Sequence, residues 1–378
     1  MNTRATRTLQ VILPGVLLLL VSGKSHAETG NVSSAPALTA QATVPELPAE
    51  QLFQQGSRQI RQKQLGAGIQ SLQQAAEQGH AAAAFELASY YEMGLGVPRD
   101  YQQARHYYQQ AVQQNHRDAY FNLALLLINN EAPFHDLAQA RTLMTTLARQ
   151  GDIEAEYTLA LMFSDSLGST AADPAQALHW TQLAAQHGDA RAQYRLGLNY
   201  LQGNAIAPDK TRALDWFRKA AAQQQPGAQF NLALMYENGD GTRPDLQTAL
   251  FWYESAARLG NVNAQQNLGI KYLLGEQVTA NPDKALQLIT QAAEGGQKNS
   301  QYLLGQLYRS GYQDVIKADA AQAEQWYLKA AQQGHTDAQY QLALLLSQQQ
   351  TRLNEARFWV KQAAAAGHTA ARKLQAHL

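Results

Sequence analysis

The stretch ALDWFRKAA, residues 213–221, decides the fold because it recurs along the chain. Close copies are ARHYYQQAV at 104–112, ALFWYESAA at 249–257 and AEQWYLKAA at 323–331. Weaker copies lie at 140–148, 177–185, 285–293 and 356–364. Three residues after each copy stands a glycine or a polar substitute, here called the junction residue. With Gly79 placed before them, the junction residues are Asn115, Gly151, Gly188, Gln224, Gly260, Gly296, Gly334 and Gly367. Their spacing, close to 36 residues, indicates a solenoid built from repeats.

A second motif begins four residues after each junction residue, as in AQYRLGLNY at 192–200 and AQFNLALMY at 228–236. Apolar residues follow helical spacing in both motifs, and glycine-rich turns such as 203–208 and 239–244 separate them. We therefore predict that each repeat is helix A, a turn and helix B. Trp216 and Phe217 are predicted to pack between stacked repeats, and Gly197 to lie where a partner helix comes close.

The combined pattern resembles the Sel-1-like repeat, a relative of the tetratricopeptide repeat. The pattern is A-x-x-x-L-G-x-x-Y, a Gly-rich turn and A-x-x-W-Y-x-K-A-A-x-x-G. The resemblance covers about residues 47–378 and is closest at 192–224 and 228–260. It implies an all-α, right-handed α-solenoid of antiparallel helix pairs with about eight to nine repeats. The family acts as a protein–protein interaction scaffold, so the resemblance implies binding rather than catalysis.

Several repeats depart from the family pattern. Leu143-Met144 and Leu288-Ile289 stand where other repeats carry an aromatic pair. Residues 47–78 are predicted to form a degenerate first repeat, and residues 368–378 a C-terminal capping helix, because terminal repeats of a solenoid cover its ends.

The N-terminal residues have the form of an export signal. Arg4 and Arg7 precede the apolar stretch 9–21, and Ser25-His26-Ala27 offers a cleavage site. We expect a signal peptide at 1–27, a flexible linker at 28–46 and the solenoid at 47–378. The expected location is the periplasm, with no membrane span after cleavage and with secretion outside the cell as an alternative.

Composition narrows the function classes. Without residues 1–27 the chain carries 27 basic and 30 acidic residues, which argues against a nucleic-acid partner. The chain has no cysteine and therefore no disulfide or thiolate chemistry. No catalytic, cofactor-binding or metal-binding motif rises above background. His80, His116, His335 and His368 each follow a junction residue, where other repeats carry Asp or Asn, so a turn or helix-cap role is expected.

A partner-binding surface is predicted on helix A, on the side away from its main packed face, which is expected to be concave. Its candidate residues stand six, ten and thirteen positions after a junction residue (positions +6, +10 and +13). Packing within the solenoid is the competing interpretation, and it is favoured for the aromatic residues at +6. The candidates are Tyr157, Tyr194, Phe230 and Tyr302 at +6, Leu161, Leu198, Leu234 and Ile270 at +10, and Leu201, Glu237, Leu273 and Arg309 at +13.

The leading functional hypothesis is an exported, non-enzymatic scaffold for a protein or peptide partner in the bacterial cell envelope. Exopolysaccharide, secretion and signalling assemblies are the contexts that the resemblance implies. Two alternatives remain open: a periplasmic hydrolase acting on a cell-wall or β-lactam-like substrate, and a secreted effector that contacts a host. A hydrolase would need Glu92, Glu237 and Arg309 to converge, although they belong to separate repeats.

Overall fold

The computed structural model describes residues 47–129, 131–164 and 172–375. The predicted signal peptide and linker, at 1–27 and 28–46, lie outside these residues. Among the helices of the described residues, none has the length and apolar character needed to cross a membrane.

The described residues form nineteen α-helices that alternate between A helices and B helices. The A helices are α1 (Ala49–Arg61), α3 (Ala81–Met93), α5 (Arg117–Ile128), α7 (Ile153–Phe163), α9 (Ala190–Gln202), α11 (Pro226–Asn238), α13 (Val262–Leu274), α15 (Lys298–Ser310), α17 (Thr336–Ser347) and α19 (Thr369–Gln375). The B helices are α2 (Leu65–Glu77), α4 (Tyr101–Gln113), α6 (Leu137–Arg149), α8 (Pro174–Gln186), α10 (Lys210–Ala222), α12 (Leu246–Arg258), α14 (Pro282–Glu294), α16 (Ala320–Gln332) and α18 (Leu353–Ala365).

Each A helix packs on the B helix that follows it, and each B helix packs on the next A helix. This consecutive packing makes an α-solenoid of nine helix pairs, from α1–α2 to α17–α18, closed by the short helix α19. The all-α solenoid expected from the repeat period is therefore confirmed. Helices α1 and α2 occupy the segment predicted to be a degenerate first repeat, and α19 occupies the predicted capping segment.

The junction residues stand where the chain turns from helix B into the next helix A. All of the glycine junction residues have positive φ, between 77° and 101°. The two polar substitutes adopt the same backbone conformation, with φ of 59° at Asn115 and 60° at Gln224. Because this left-handed region disfavours residues that have a β-carbon, glycine predominates at these positions.

The aromatic pair of helix B divides into one buried and one half-buried ring. Phe217 is fully buried, and a β-carbon on Gly197 of α9 would lie 2.6 Å from its Cε1 atom. The predicted close approach of a helix at Gly197 is thus confirmed. Trp216 is only half-buried, and the Lys219 Nζ atom lies 3.9 Å from the centre of its ring. Trp216 nevertheless packs against the core cluster that contains Phe217, so both rings pack as predicted, with Phe217 the more deeply buried of the two.

The residue after each junction residue stands at the N-terminus of the following A helix, and in most repeats its side chain caps that helix. Asp189 and Asn261 each accept a hydrogen bond from the backbone N–H three residues later, as do the Nδ1 atoms of His80, His335 and His368. His116 occupies the same position, but its side chain forms no capping hydrogen bond. The predicted cap role of these histidines is confirmed at three of the four positions.

Candidate functional site

The aromatic residues at +6 pack mainly inside the solenoid. The rings of Tyr194 and Phe230 lie 5.9 Å and 6.0 Å from the rings of Phe217 and Tyr253 in the B helix of their own repeat. Tyr302 also stacks on the capping His335 of the next repeat at 4.5 Å. The packing interpretation therefore accounts for these three rings, and all three residues are half-buried.

Tyr157, the fourth candidate at +6, is covered by a cation. The Arg191 guanidinium lies 4.2 Å above its ring and also pairs with Glu154 and Asp189. Burial raises the pKa of Tyr157. Its ring face is thus in contact with the neighbouring A helix.

The residues at +10 form a half-buried aliphatic line across five successive A helices, here called the +10 stripe. A polar residue interrupts the series on either side, with Ser89 in α3 and Gln306 in α15 at the same position. The stripe therefore spans α5 to α13 and includes four of the predicted partner-binding residues. Its members are Leu125, Leu161, Leu198, Leu234 and Ile270, all partly exposed.

The two leucines at +13 have intramolecular roles. Leu273 is 8 % exposed and packs with Ile289 and Leu304, so the expectation that it lines an exposed groove is wrong. Leu201 is half-buried and packs against the core around Phe217. These two leucines extend the hydrophobic core at the end of helix A.

Charged side chains occur at +13 where the B helix of the same repeat presents a buried tyrosine. The Tyr253 hydroxyl donates to Glu237 Oε2 at 2.6 Å, and the Tyr108 hydroxyl donates to Glu92 Oε2 at 2.8 Å. Arg309 likewise contacts Tyr327, and burial raises the pKa of that tyrosine to about 12. In the repeat where the buried ring is Phe217, the residue at +13 is Leu201. The charges at this position therefore serve as hydrogen-bond partners for the hydroxyl groups of these buried tyrosines.

The two tyrosine-bound carboxyl groups differ in their second partner. Burial raises the pKa of Glu92 more than the Tyr108 hydrogen bond lowers it. Burial also acts on Glu237, but its hydrogen bonds with Lys271 of the next A helix and with Tyr253 bring its pKa below the ordinary value. The position equivalent to Lys271 beside Glu92 is Leu126, which supplies no cation.

A series of buried glutamines occupies position +5 of five A helices, and these residues are not among those predicted from the sequence. Each donates its Nε2 hydrogen to a backbone carbonyl in the last turn of the preceding B helix, at 2.9 to 3.2 Å. The signal for it is the recurrence of Gln directly before the residue at +6. The series comprises Gln193, Gln229, Gln265, Gln301 and Gln339, all buried.

The side-chain Oε1 atom of these glutamines accepts a hydrogen bond from another side chain only in some repeats. Gln193 and Gln301 accept from Gln223 and Gln333, each of which directly follows the B helix of the same repeat. In α7 the position is Glu156, 2 % exposed, and it pairs with His187 at 2.8 Å. This position therefore ties the two helices of a repeat to the preceding B helix.

The polar groups considered for a hydrolase do not converge. Glu92, Glu237 and Arg309 each contact the tyrosine of their own repeat. Within the described residues, no group of three or more His, Asp or Glu side chains is placed to hold a metal ion. These three residues therefore supply no common catalytic centre.

The sequence pattern of the Sel1 repeat matches seven segments, which together cover more than half of the chain. The matched segments are 81–116, 153–189, 190–224, 226–261, 262–297, 298–335 and 336–368. The chain belongs to the Sel1 repeat family. Residues 117–152 fall outside the matched segments, although α5 and α6 fold there as a regular pair. This pair includes Leu143-Met144, which stand where other repeats carry the aromatic pair.

Two solved structures of Sel1-like repeat proteins are similar over most of their length. A Sel1 repeat protein from Oxalobacter formigenes is 27 % identical, with a TM-score of 0.69, covering 91 % of this chain and 98 % of that one. A protective antigen present in uropathogenic Escherichia coli strains, displaying an SLR fold, is 28 % identical, with a TM-score of 0.64. The match covers 87 % of this chain and 74 % of the antigen. Among curated proteins, none matches this Sel1 repeat chain.

Proposed function

We propose that this Sel1 repeat protein is an exported, non-enzymatic scaffold that binds another protein of the bacterial cell envelope through the +10 stripe. The observation that carries the proposal is the run of five partly exposed aliphatic side chains on successive A helices. A row of partly exposed apolar side chains suits an apolar segment of a partner protein. The protein-interaction role of the repeat family supports the same assignment.

The neighbouring positions support the choice of this stripe. The rings at +6 are engaged with B-helix aromatics and capping residues, and the charges at +13 are engaged with tyrosines. The stripe residues are thus apolar positions that recur on successive A helices and retain part of their surface for a partner. Polar Ser89 and Gln306 mark the ends of the stripe, so we expect a bound segment to contact α5 through α13.

Site-specific photocrosslinking in the native cell envelope tests this surface. A photoreactive residue at Leu161, Leu198 or Leu234 is expected to capture one and the same protein. The same probe at Asp215, an exposed residue of α10, is the control. Equal capture from Asp215, or a different product from each stripe position, would contradict the proposal.

The partner interaction is then tested with matched leucine substitutions. Leu198→Ser with Leu234→Ser should weaken binding of the captured partner by at least tenfold, about 1.4 kcal/mol. The control is Leu246→Ser with Leu259→Ser, since both leucines are exposed at the two ends of α12. Thermal melting of both double variants separates loss of binding from loss of folding. Equal binding by the two double variants would eliminate the stripe as the interface.

The export part of the proposal rests on residues 1–27. Cleavage after Ala27 predicts a protein that begins at Glu28 in the periplasmic fraction. Fractionation with N-terminal mass determination tests it, and recovery in the culture medium would favour the secreted-effector alternative. Turnover of a cell-wall or β-lactam substrate by the purified protein would favour the hydrolase.

A further inference from the structure

A cavity of about 560 Å³ opens between the B helices α12 and α14, above α13. Its apolar lining comes from Ala257, Leu268 and Leu288. Its polar lining comes from three amide side chains and three charged ones, namely Gln265, Gln287, Gln291, Glu254, Arg258 and Lys284. None of these residues belongs to the +10 stripe, so the cavity is separate from the proposed partner surface.

The cavity lies where one repeat departs from the aromatic pattern. All five tryptophans of the chain occupy the same B-helix position, eight residues before the next junction residue. They are Trp180, Trp216, Trp252, Trp326 and Trp359. In α14 this position is Leu288, whose smaller side chain lines the cavity. Leu288 is thus a smaller side chain at a position where five other repeats carry an indole.

A buried hydrogen-bond acceptor accompanies the missing ring. Gln265 is 6 % exposed and donates its Nε2 hydrogen to the Ala257 carbonyl at 3.0 Å, but its Oε1 atom has no partner among the described residues. In α9 the equivalent oxygen accepts from Gln223, whereas the position equivalent to Gln223 is Gly295 in this repeat. Gln229 and Gln339 also lack a partner for Oε1 in the part of the chain that the structure describes, but of these three glutamines Gln265 is the one that lines the cavity.

The charged rim has a net positive charge. Glu254 pairs with Lys284 at 3.1 Å and accepts from the Tyr272 hydroxyl at 3.1 Å. Burial raises the pKa of Glu254, but Lys284 and Tyr272 outweigh it, so the carboxylate stays ionised. Arg258 is exposed one turn beyond Glu254. Two cations and one anion leave one positive charge for a ligand.

We propose that this cavity binds an N-acylated amino acid with an apolar side chain, through chemistry that a free N-acyl amino acid shares with the carboxyl terminus of a peptide. The apolar side chain packs against Leu268 and Leu288. The amide N–H of the ligand donates to Gln265 Oε1, which otherwise stays buried without a partner. The carboxylate of the ligand pairs with Arg258 at the rim. Apolar walls with a few placed polar groups are the usual composition of a small-molecule site.

Calorimetric titration of the full chain with N-acetyl-L-leucine tests the site. Two analogues each remove one interaction: N-acetyl-L-leucinamide lacks the charge, and the acetoxy analogue replaces the amide N–H with an ester oxygen. Each is expected to bind at least tenfold more weakly, as is the parent ligand to the Arg258→Gln variant. No binding of N-acetyl-L-leucine, or equal binding of all three compounds, overturns the proposal.

A cavity-filling variant provides the matched structural control. Leu288→Trp installs the residue that five other repeats carry, so it should abolish binding while preserving the melting temperature. Unchanged affinity in folded Leu288→Trp overturns the assignment to this cavity. If Leu288→Trp unfolds, the Arg258→Gln variant still tests the proposal, because Arg258 is an exposed residue whose replacement should leave the fold intact. N-acetyl-Gly-Gly-Leu distinguishes the sources: binding as tight as the free acid assigns a peptide terminus, and loss of binding assigns a free N-acyl amino acid. Because the cavity lies outside the stripe, its failure leaves the scaffold proposal standing.

Discussion

Phe217 and Trp216 are neighbours in the chain but differ in their surroundings. Phe217 is fully buried between α9 and α10, whereas Trp216 keeps part of its ring in solvent under the Lys219 ammonium group. The same division holds in α16, where Tyr327 is 1 % exposed and Trp326 lies beneath Lys329. The second residue of the pair therefore belongs to the core, and the first belongs to its border.

Substitution of these two rings should have unequal effects on stability. Phe217→Ala removes a fully buried ring next to Gly197 and is expected to cost about 3–5 kcal/mol. Trp216→Ala should cost roughly 1–2 kcal/mol, because only part of the indole leaves the interior. Urea unfolding of the two variants measures the difference, and a larger effect for Trp216 would contradict this division.

The junction residue Gln224 offers a stabilising substitution. Its φ of 60° disfavours a residue with a β-carbon, and its side chain is exposed. Gln224→Gly should therefore raise the free energy of unfolding by about 0.5–1 kcal/mol. Gln224→Ala is the control, since it removes the same side chain but keeps the β-carbon. Equal stability of the two variants would show that backbone strain is not the cause.

The burial of a single residue can be predicted from the sequence where it depends only on the residue's place within its own helix. The spacing of Leu196 and Tyr200 places both in the packed face of α9, where they are 1 % and 8 % exposed. The same spacing misplaces Leu273, because its burial depends on Ile289 of α14, a residue of another helix. It also predicts a surface charge at Glu237, whose tyrosine partner lies on the following helix. Helical periodicity identifies which face of a helix a residue lies on, but not which residue of a neighbouring helix it contacts.

At the scale of the element, each A helix from α9 to α17 begins with a side-chain cap, and the chemistry of that cap changes along the solenoid. Histidines serve near both ends, as His80 and His335 do, while Asp189 and Asn261 serve in the middle. The histidine rings add a stacking contact with an aromatic ring of the preceding A helix, 4.5 Å for both Phe53–His80 and Tyr302–His335. An imidazole must be unprotonated at Nδ1 to accept the capping N–H.

The cap at His335 should make stability depend on pH. Burial lowers its pKa, and so does Lys298, while the nearby Asp337 acts in the opposite direction. Because the folded-state pKa lies below the unfolded value of about 6.5, the unfolded chain binds the proton first as pH falls. The contribution to stability is thus present above the unfolded value and is lost as pH falls through the folded one. His335→Asn keeps a cap of the kind found at Asn261, so urea midpoints should fall less between about pH 7.5 and pH 5. An unchanged pH slope would contradict this.

At the scale of the molecule, contacts between helices run almost entirely between neighbours in the chain, as α9 with α10 and α10 with α11. A repeat period is therefore enough to predict the solenoid, because the packing between neighbouring helices recurs from one repeat to the next. The candidate site is less predictable. The +10 stripe follows from the period, but the cavity beside Leu288 depends on two departures within one repeat, Leu288 and Gly295.

Neighbour-to-neighbour packing predicts that damage at one end stays local. Ala371 of α19 is fully buried against the last pair, so Ala371→Asp should detach α19 and raise amide exchange in α17 and α18. Exchange in α9 to α12 should remain unchanged. Lys373→Asp, at an exposed position of the same helix, is the control. A uniform rise of exchange along the whole solenoid would show long-range cooperativity instead.

The hydrogen bonds that the side chains of the buried glutamines at +5 donate all run from an A helix to the B helix that precedes it in the chain. Each one reaches backward, so the carbonyl groups that end one B helix receive their donor from the residues that follow, as Ala185 does from Gln193. At the last B helix the donor is Arg372 of α19, which bonds the Ala364 carbonyl at 3.3 Å. A ribosome or a translocation channel releases the chain from its N-terminus. Each B helix from α8 to α18 therefore emerges before the residue that bonds its final turn, and that turn is completed only when the next A helix arrives.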